Sequence, residues 1–446
     1  MKQRVFLSLA LLAATPLVAQ NAKEWTLQDC IDHALDQNIQ LQQDRLQLQS
    51  SETDVKTAKA ALFPTLTLST SHNLMNRPFQ TQSNTVSGTE IITSNNKNTY
   101  NGNYGLNAQW TVWNGGRRRN NIETQKTNYK IAGLTVRQTE NTLQEEITKL
   151  YMQILYAHEA VAINQGTLQV SRATCQRAQE LFSEGSISKA DLAQLEAQVS
   201  NDEYQTVTAE STLRNYKLQL KQLLELDGTA ELALRLPELT DETVLQLLPA
   251  QADVYAAALA QRPEIQSGKL SIDNARLALQ TAKAGYLPTI SLTASSSSTT
   301  NSASSNSWSQ QMKYGWNNMI GLSLSLPLFD GRTNKSNVEK ARLQYDSSRY
   351  DLMSKQKELY ATIESLWLDA LNAQQQYSAA STNVKSCQTS YDMVSEQFNL
   401  GMKNTVELLT EKNNLLSAQQ QRLQAKYMVL LNRALLDFYA GNNIDI

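Results

Sequence analysis

The chain has 446 residues and a nearly balanced charge, with 40 Lys and Arg against 42 Asp and Glu. A nucleic-acid partner is not expected, because phosphate binding requires a basic excess. Beyond the N-terminus no run of 18 or more apolar residues occurs, and the mean hydropathy is -0.43, which excludes a helical inner-membrane protein.

The first residues predict export from the cytoplasm. Lys2 and Arg4 precede an apolar run from Val5 to Val18, and Ala19 is small enough to precede a cleavage point. This pattern is typical of a secretory signal peptide at residues 1–19 and is too short for a membrane span. A buried N-terminal helix is the alternative interpretation.

The cysteines predict neither a disulfide framework nor a lipid anchor. Cys30, Cys175 and Cys387 are odd in number and far apart, and each resembles a small apolar residue of a helix. Cys30 follows WTLQD rather than the small and aliphatic residues that a lipoprotein signal peptidase recognises. We therefore expect an unlipidated N-terminus.

Two long segments of the sequence resemble each other. TAKAALFPTLTLS at 57–69 returns as TAKAGYLPTISLT at 281–293, and LFSEGSISKADLAQL at 181–195 aligns with QFNLGMKNTVELLTE at 397–411. Such self-similarity indicates a duplicated structural unit. The predicted domains are a first repeat at 20–226, a linker with a short helix at 227–253, and a second repeat at 254–446.

Each repeat is predicted to contain a helix, a β-hairpin, a very long helix and a returning helix. The hairpins fall at about 64–113 and 288–329. From Arg117 to about Phe182 there is no proline, so one helix of roughly 100 Å is allowed. Its apolar residues recur at steps of three and four, which favours a coiled-coil seam. The second repeat has the same pattern from about Asn334 to Phe398.

The hairpin strands alternate between apolar and polar residues. In 320–328 the even positions are Ile or Leu, and the odd positions are mainly Gly or Ser. The apolar face packs on a core in a soluble sandwich and faces lipid in a membrane barrel. Strand length and the Trp and Tyr residues near strand ends favour the barrel, which four strands cannot close alone. The Ser/Asn/Thr-rich segments 70–103 and 294–319 are predicted to be solvent-exposed loops.

Several motifs in this order carry a family resemblance. They are WTLQDCIDHALDQN (25–38), FPTL and LPTI before the first strand of each hairpin, VWNGG (112–116), PLFDG (327–331), and the glycine-containing helix tips at 185 and 401. With them the chain resembles the TolC family of outer-membrane efflux channels over nearly its whole mature length. The resemblance implies a mainly α fold with a β-barrel part, in which a homotrimer shares a 12-stranded transmembrane β-barrel and a trimeric α-barrel.

The resemblance also implies the function. The protein would be the exit duct of a tripartite efflux or type I secretion system, in the outer membrane of a Gram-negative bacterium and extending into the periplasm. Its expected partners are outer-membrane lipid, a periplasmic adaptor and an inner-membrane transporter of RND or ABC type. We expect no enzyme activity, metal or cofactor, because no catalytic or metal-binding spacing occurs. A structural or adhesive coiled-coil protein without a pore is the alternative.

The family's periplasmic entrance lies at the helix tips. Carried over to this sequence, the resemblance places five residues at the gate: Asp191, Glu407, Lys403, Thr410 and Phe398. Lys403 matches a basic gate residue, Thr410 stands where an acidic ring is known, and Phe398 replaces a tyrosine. Alternatively, Asp191 and Glu407 merely favour helix N-termini electrostatically. Four residues of the tips are expected to contact the adaptor: Gly185, Ser186, Gly401 and Met402.

The joints between helix and barrel are the last predicted site. Proline ends a helix and turns the chain into an extended segment, and Asn or Asp can cap the helix that follows. The joint residues are therefore Pro64, Pro288, Asn114, Gly115, Asp330 and Gly331. The neighbouring basic run, 117–119, is interpreted mainly as a solvated helix face, with lipid phosphates or the tunnel lining as alternatives.

Overall fold

The computed structural model describes residues 24–79, 81–87, 90–94, 97–228, 232–236 and 241–444. The helices are α1 (Leu27–Gln37), α2 (Ile39–Ala60), α3 (Arg117–Ser183), α4 (Lys189–Leu223), α5 (Asp241–Val244), α6 (Gln251–Gln261), α7 (Pro263–Lys283), α8 (Trp308–Tyr314), α9 (Thr333–Asn399) and α10 (Thr405–Tyr439). The strands are β1 (Glu24–Trp25), β2 (Thr65–Asn76), β3 (Ser83–Ser87), β4 (Glu90–Ser94), β5 (Asn98–Trp113), β6 (Ala233–Leu234), β7 (Thr289–Asn301) and β8 (Asn317–Ser325). The predicted signal peptide lies outside the described residues.

The helices of the two halves match in length. α3 and α9 have 67 residues each, and α4 and α10 have 35 residues each. None of the helices within the described ranges has the length and apolar content needed to cross a membrane. The two longest helices are amphipathic only weakly and carry mixed polar residues along their length.

The residues group into two compact units. Of the described residues, those within 24–39, 142–251 and 364–444 form the first unit, and those within 40–141 and 252–363 form the second. In the first unit, α1, the middle of α3, the end of α4 and α10 form the main apolar core. α10 contributes Leu423, Tyr427, Leu430 and Ala434, whose spacing of three and four residues puts them on one helix face.

The second unit holds a four-stranded antiparallel sheet in the order β2-β5-β7-β8. Directly paired residues share a face, so Leu66, Ala108, Ala294 and Ile320 form one cross-strand row. The apolar side chains of this face stay open on the outer strands, where Leu68 is 80% exposed and Ile320 is 81% exposed. Along β2 and β8 the sheet therefore presents an uncovered apolar face.

The strands extend further than predicted. Residues 70–76, 98–103, 294–301 and 317–319, which we expected in exposed loops, belong to β2, β5, β7 and β8. The loop interpretation of these flanks was wrong because their Ser, Thr and Asn residues were taken as turn formers. In the sheet these side chains bond across strands, as Asn103 Nδ2 does to Ser71 Oγ at 3.2 Å. Two further elements lie between the strands, the β3-β4 hairpin and α8.

The segment between the halves is also more ordered than a simple linker. It contains α5 and the short strand β6, which pairs in parallel with β1 near the N-terminus. Gln374 of α9 donates hydrogen bonds to the carbonyls of Val244 and Gln246, and Arg433 of α10 donates one to the carbonyl of Thr243. These long polar side chains attach the segment to the helices of the first unit.

Candidate functional site

Both helix tips have the same backbone geometry. Gly185 and Gly401 adopt φ values of +75° and +71°, in the left-handed region that favours glycine. After α3, the amide of Ser186 donates to the Leu181 carbonyl at 2.8 Å and that of Gly185 to the Phe182 carbonyl at 3.0 Å. The corresponding bonds after α9 are equally present, so each tip is a Schellman motif.

The returning helices also begin alike. Ser188 caps α4 and Asn404 caps α10, and each accepts a hydrogen bond from the backbone amide of the third helical residue. Asp191 and Glu407 occupy that third position, and each carboxylate accepts in return from the amide of the cap residue. These are two complete capping boxes. Both candidate entrance acids therefore stabilise helix N-termini.

The two acids differ in their other partners. The Asp191 carboxylate also accepts from the Ser188 hydroxyl at 2.6 Å, and Thr405 of the second tip bonds it as well. The Glu407 carboxylate instead forms an ion pair with Lys403 Nζ at 2.5 Å. The Ser188 hydrogen bond holds the pKa of Asp191 below its ordinary value, and the Lys403 hydrogen bond does the same for the pKa of Glu407.

A small apolar core joins the two tips. Cys175, Ala178, Leu195, Phe398 and Leu408 are buried together there, with further side chains packed around them. Burial raises the pKa of the Cys175 thiol. Phe398 is only 5% exposed, so its main contribution is packing in this core. A groove of about 540 Å³ lies beside this core and is lined by both tips, including Gly185, Asp191, Gly401 and Lys403.

A buried ion pair lies further along the same helices. Lys412 of α10 contacts both Asp202 of α4 and the hydroxyl of Ser171 of α3, and the two charged side chains are 7% and 3% exposed. Ser171 Oγ in turn donates to Asp202 Oδ2 at 2.5 Å. Burial lowers the pKa of Lys412, and the hydrogen bond that its ammonium donates to Asp202 opposes this shift. Three helices are thus connected through one charged cluster.

The joints between strands and helices are built from a glycine turn and a polar cap. Gly115 adopts φ +69° and Gly331 φ +60°, each following Asn114 or Asp330. Asn114 Oδ1 accepts from the Arg118 amide at 3.3 Å, and Asp330 Oδ2 accepts from the Asn334 amide at 2.8 Å.

Side chains near the starts of α3 and α9 also bind the preceding segment, where the chain passes from helix to strand. The guanidinium of Arg118 donates to the carbonyls of Ala61, Leu62 and Val112. Asn334 Nδ2 makes the matching contact in the other half, to the Gly285 carbonyl at 3.0 Å. For Arg118 the prediction of a solvated helix face was therefore wrong, because its planar fork of donors satisfies carbonyls that the end of α2 leaves open. Pro64 and Pro288 each stand immediately before a first strand, at Thr65 and Thr289.

Comparison with known proteins identifies the family. The family model described as outer membrane efflux protein matches residues 30–225 and again 254–442. The chain belongs to the outer membrane efflux protein family.

Relatives within this family cover most of the chain. The outer membrane efflux protein BepC of Brucella suis is 23% identical over 96% of this chain and 88% of its own length. The outer membrane protein TolC of Escherichia coli is 25% identical over 74% of this chain and 72% of its own. A crystal structure of CusC matches with a TM-score of 0.78 and 19% identity, covering 94% of this chain and 92% of that one.

Membership of the outer membrane efflux protein family fixes the general role. The protein lies in the outer membrane and is a channel-tunnel for export, with the helical and β-barrel fold of its relatives. The family consists of transport channels and not of enzymes. The alternative of a coiled-coil protein without a pore is therefore set aside.

The structure also adds residues that the sequence analysis missed. The caps Ser188 and Asn404 could have been found, because S-x-x-D and N-x-x-E before an apolar run are capping-box signals. The cluster of Lys412, Asp202 and Ser171 had no such signal, because its members come from three separate helices.

Proposed function

We propose that three copies of this chain assemble into one channel with a shared 12-stranded barrel. The observation that supports this is the state of the sheet edges: within the described residues, β2 and β8 each pair on one side only. Unpaired backbone groups are not tolerated in lipid, so each edge needs a partner strand. The repeats at 20–226 and 254–446, joined by the linker at 227–253, each supply two strands and two long helices to the homotrimer.

In this channel the polar face of the sheet lines the conduit. The odd-numbered positions of the four barrel strands carry Ser, Thr, Asn, Gln and Gly, with Met75, Met319 and Trp113 as the exceptions. A register shift after Thr111 pairs Trp113 with Ile290, on the opposite face. None of these positions is charged. The β-barrel section therefore does not select cargo by charge, and electrostatic selection is left to the helical section.

We assign the periplasmic entrance to the helix tips. Asp191, Glu407, Lys403 and Thr410 would approach the channel axis, while Phe398 packs behind them. Threefold repetition of Glu407 and Asp191 concentrates negative charge, which attracts cations, and Lys403 reduces that charge. A periplasmic adaptor would contact the tips at Gly185, Ser186, Gly401 and Met402, and would connect the duct to an inner-membrane transporter of RND or ABC type.

The channel thus forms the exit duct of a tripartite efflux or type I secretion system, passing small molecules or proteins across periplasm and outer membrane. Both kinds of system require the same conduit body. The joints at Pro64, Pro288, Asn114, Gly115, Asp330 and Gly331 serve as the transitions between the helical and β-barrel sections.

Single-channel recording in planar bilayers tests this function. Purified wild-type protein is compared with Asp191→Ala and Glu407→Ala, and with Glu52→Ala as a control whose carboxylate is exposed on α2. We expect a small cation-selective conductance that loses selectivity in the two tip variants and is unchanged in the control. A folded and inserted protein that conducts nothing would contradict the channel assignment. Unaltered selectivity in both tip variants would place the constriction elsewhere.

A further inference from the structure

The short helix α8 lies on the apolar face of the sheet. Ser298 and Thr300 of β7 are buried while Thr299 between them is exposed, so the helix covers the even-numbered face. The Ser298 hydroxyl donates to the Met312 carbonyl at 2.9 Å, and Gln311 Oε1 accepts from the Asn301 amide at 2.7 Å. This is the face that carries Leu66, Leu68 and Ile320 further down the strands.

Specific contacts hold α8 in this position. Gly315 lies so close to the strand that a Cβ atom would come within 3.0 Å of Ser298 Oγ and 3.3 Å of the Thr299 carbonyl. The indole Nε1 of Trp308 donates to the Tyr104 hydroxyl at 3.3 Å, and the two rings meet edge to face at 6.1 Å. Beside them His72 contacts the ring of Tyr104. The helix is therefore a fixed part of the sheet's outer surface.

The exposed side of α8 and the turn after it is aromatic. Trp308, Tyr314 and Trp316 are 58%, 60% and 62% exposed, and Lys313 beside them is also exposed. Trp and Tyr concentrate where a membrane's hydrocarbon meets its headgroups, and lysine there reaches lipid phosphates. In water such a cluster would instead be an unexplained apolar patch.

The height of the cluster matches a membrane interface. At about 3.4 Å per residue, Ser298 lies about 27 Å along β7 from Ile290, which is paired with Trp113 at the opposite end of the sheet. With the strand tilt usual in membrane barrels this is a rise of about 20 Å, and the apolar band of such barrels is about 25 Å tall with aromatic girdles at both edges. Trp113 and α8 thus stand at its two borders.

We propose that α8 is an interfacial helix that lies in the headgroup layer of the outer leaflet and anchors the barrel there. Its occupant is lipid, because its exposed side continues the uncovered apolar face of a sheet that belongs to an outer-membrane protein. Lys313 adds a contact with lipid phosphate. The alternatives, water or a neighbouring copy of the chain, give different results in the test below.

Tryptophan quenching in proteoliposomes tests the proposal. The full-length trimer is reconstituted in phosphatidylcholine brominated either at carbons 6 and 7 or at carbons 11 and 12, and iodide is the aqueous quencher. The emission of Trp308 and Trp316 is the difference between wild type and Trp308→Phe/Trp316→Phe. Trp316→Phe alone is the milder second variant, because it leaves the Trp308 contact with Tyr104 intact. Trp367→Phe, which removes an indole bonded to the Pro249 carbonyl, is the matched control.

We expect the difference signal to be quenched at least twofold more by the shallow bromines than by the deep ones, and the Trp367 signal by neither. Quenching by iodide alone would put α8 in water. If neither bromine nor iodide quenched the signal, a neighbouring copy of the chain would cover α8. Equal quenching by the shallow and deep bromines would put α8 within the hydrocarbon. Each of these three results overturns the interfacial assignment.

Discussion

At the first helix tip Gly185 stands between Glu184 and Ser186, whereas at the second Gly401 stands between Leu400 and Met402, which are 66% and 71% exposed. The backbones of the two tips are nevertheless the same, with left-handed glycines, Schellman bonds and capping boxes. The two repeats therefore share the backbone geometry of the tip but differ in the residues that the tip exposes. The geometry is what both tips require, and the surface is where they differ in what they can bind.

The difference extends to charge. At the second tip Lys403 lies within 2.5 Å of Glu407, while the first tip has Ile187 at the position that aligns with Lys403. One tip is thus polar with an acid held by neutral donors, and the other is apolar with a paired acid. The adaptor that we propose at the tips would therefore meet two different surfaces on one repeated backbone.

The largest effect is expected at the buried cluster of Lys412, Asp202 and Ser171, which connects the helices of the two tips. Asp202→Ala leaves the Lys412 ammonium buried without its carboxylate, which costs roughly 3–5 kcal/mol. We expect amides around Lys412 and Asp202 to exchange hydrogen faster by about two orders of magnitude or more. Hydrogen–deuterium exchange of the purified trimer measures this.

Arg172→Gln is the control for that variant. It removes an ion pair between the same two helices, α3 and α4, whose partners are 59% and 49% exposed. Exposed pairs contribute about 1 kcal/mol or less. Equal exchange in Asp202→Ala and Arg172→Gln would show that the buried cluster does not hold the tips together.

The next effect tests whether the two tips depend equally on their glycines. In Gly185→Val and in Gly401→Val a β-branched residue must adopt positive φ, at a cost of about 1–2 kcal/mol each, although no atom lies within 4 Å of the new Cβ. We expect similar loosening of both tips, seen as faster exchange within 181–192 or 397–408, and intact trimers on native gels.

Gly166→Ala in the interior of α3 is the matched control, because there the added Cβ meets nothing within 4 Å and the backbone is helical. Helix propensity makes this change stabilising by about 0.5–1 kcal/mol. If Gly185→Val and Gly401→Val behaved like this control, the positive φ would not be what forms the tips.

Much of this organisation could be predicted because it is local or repeated. The length of α3 and α9 follows from the absence of proline, and their ends follow from Gly185 and Gly401. The change from helix to strand follows from Pro64 and Pro288. The extent of β2 and β7 could not be predicted, because a Ser- and Asn-rich strand resembles a loop until its partner strand is known. The contacts of Lys412 and Arg118 also escaped, because both cross between elements far apart in sequence.

The smallest change in stability, and the sharpest difference between the tips, is expected from Lys403→Met. The pair with Glu407 is half exposed, so its loss changes stability little. Lys403→Met removes the Lys403 hydrogen bond, which is the main cause of the lowered pKa of Glu407. The pKa of Asp191 is lowered mainly by the Ser188 hydrogen bond and is unaffected. A carboxylate with a lowered pKa keeps its charge until pH falls through that lower value. In Lys403→Met the charge of Glu407 is therefore unpaired at neutral pH and is lost at a higher pH than in wild type. We expect cation selectivity in planar bilayers to rise at pH 7 and to fall on acidification at a pH closer to the ordinary glutamate value of about 4.3.

Lys403→Arg is the control that keeps the charge and should match wild type. Selectivity that stays the same in Lys403→Met at every pH would mean that the second tip does not face the conduit, and the two tips would then differ in position as well as in surface.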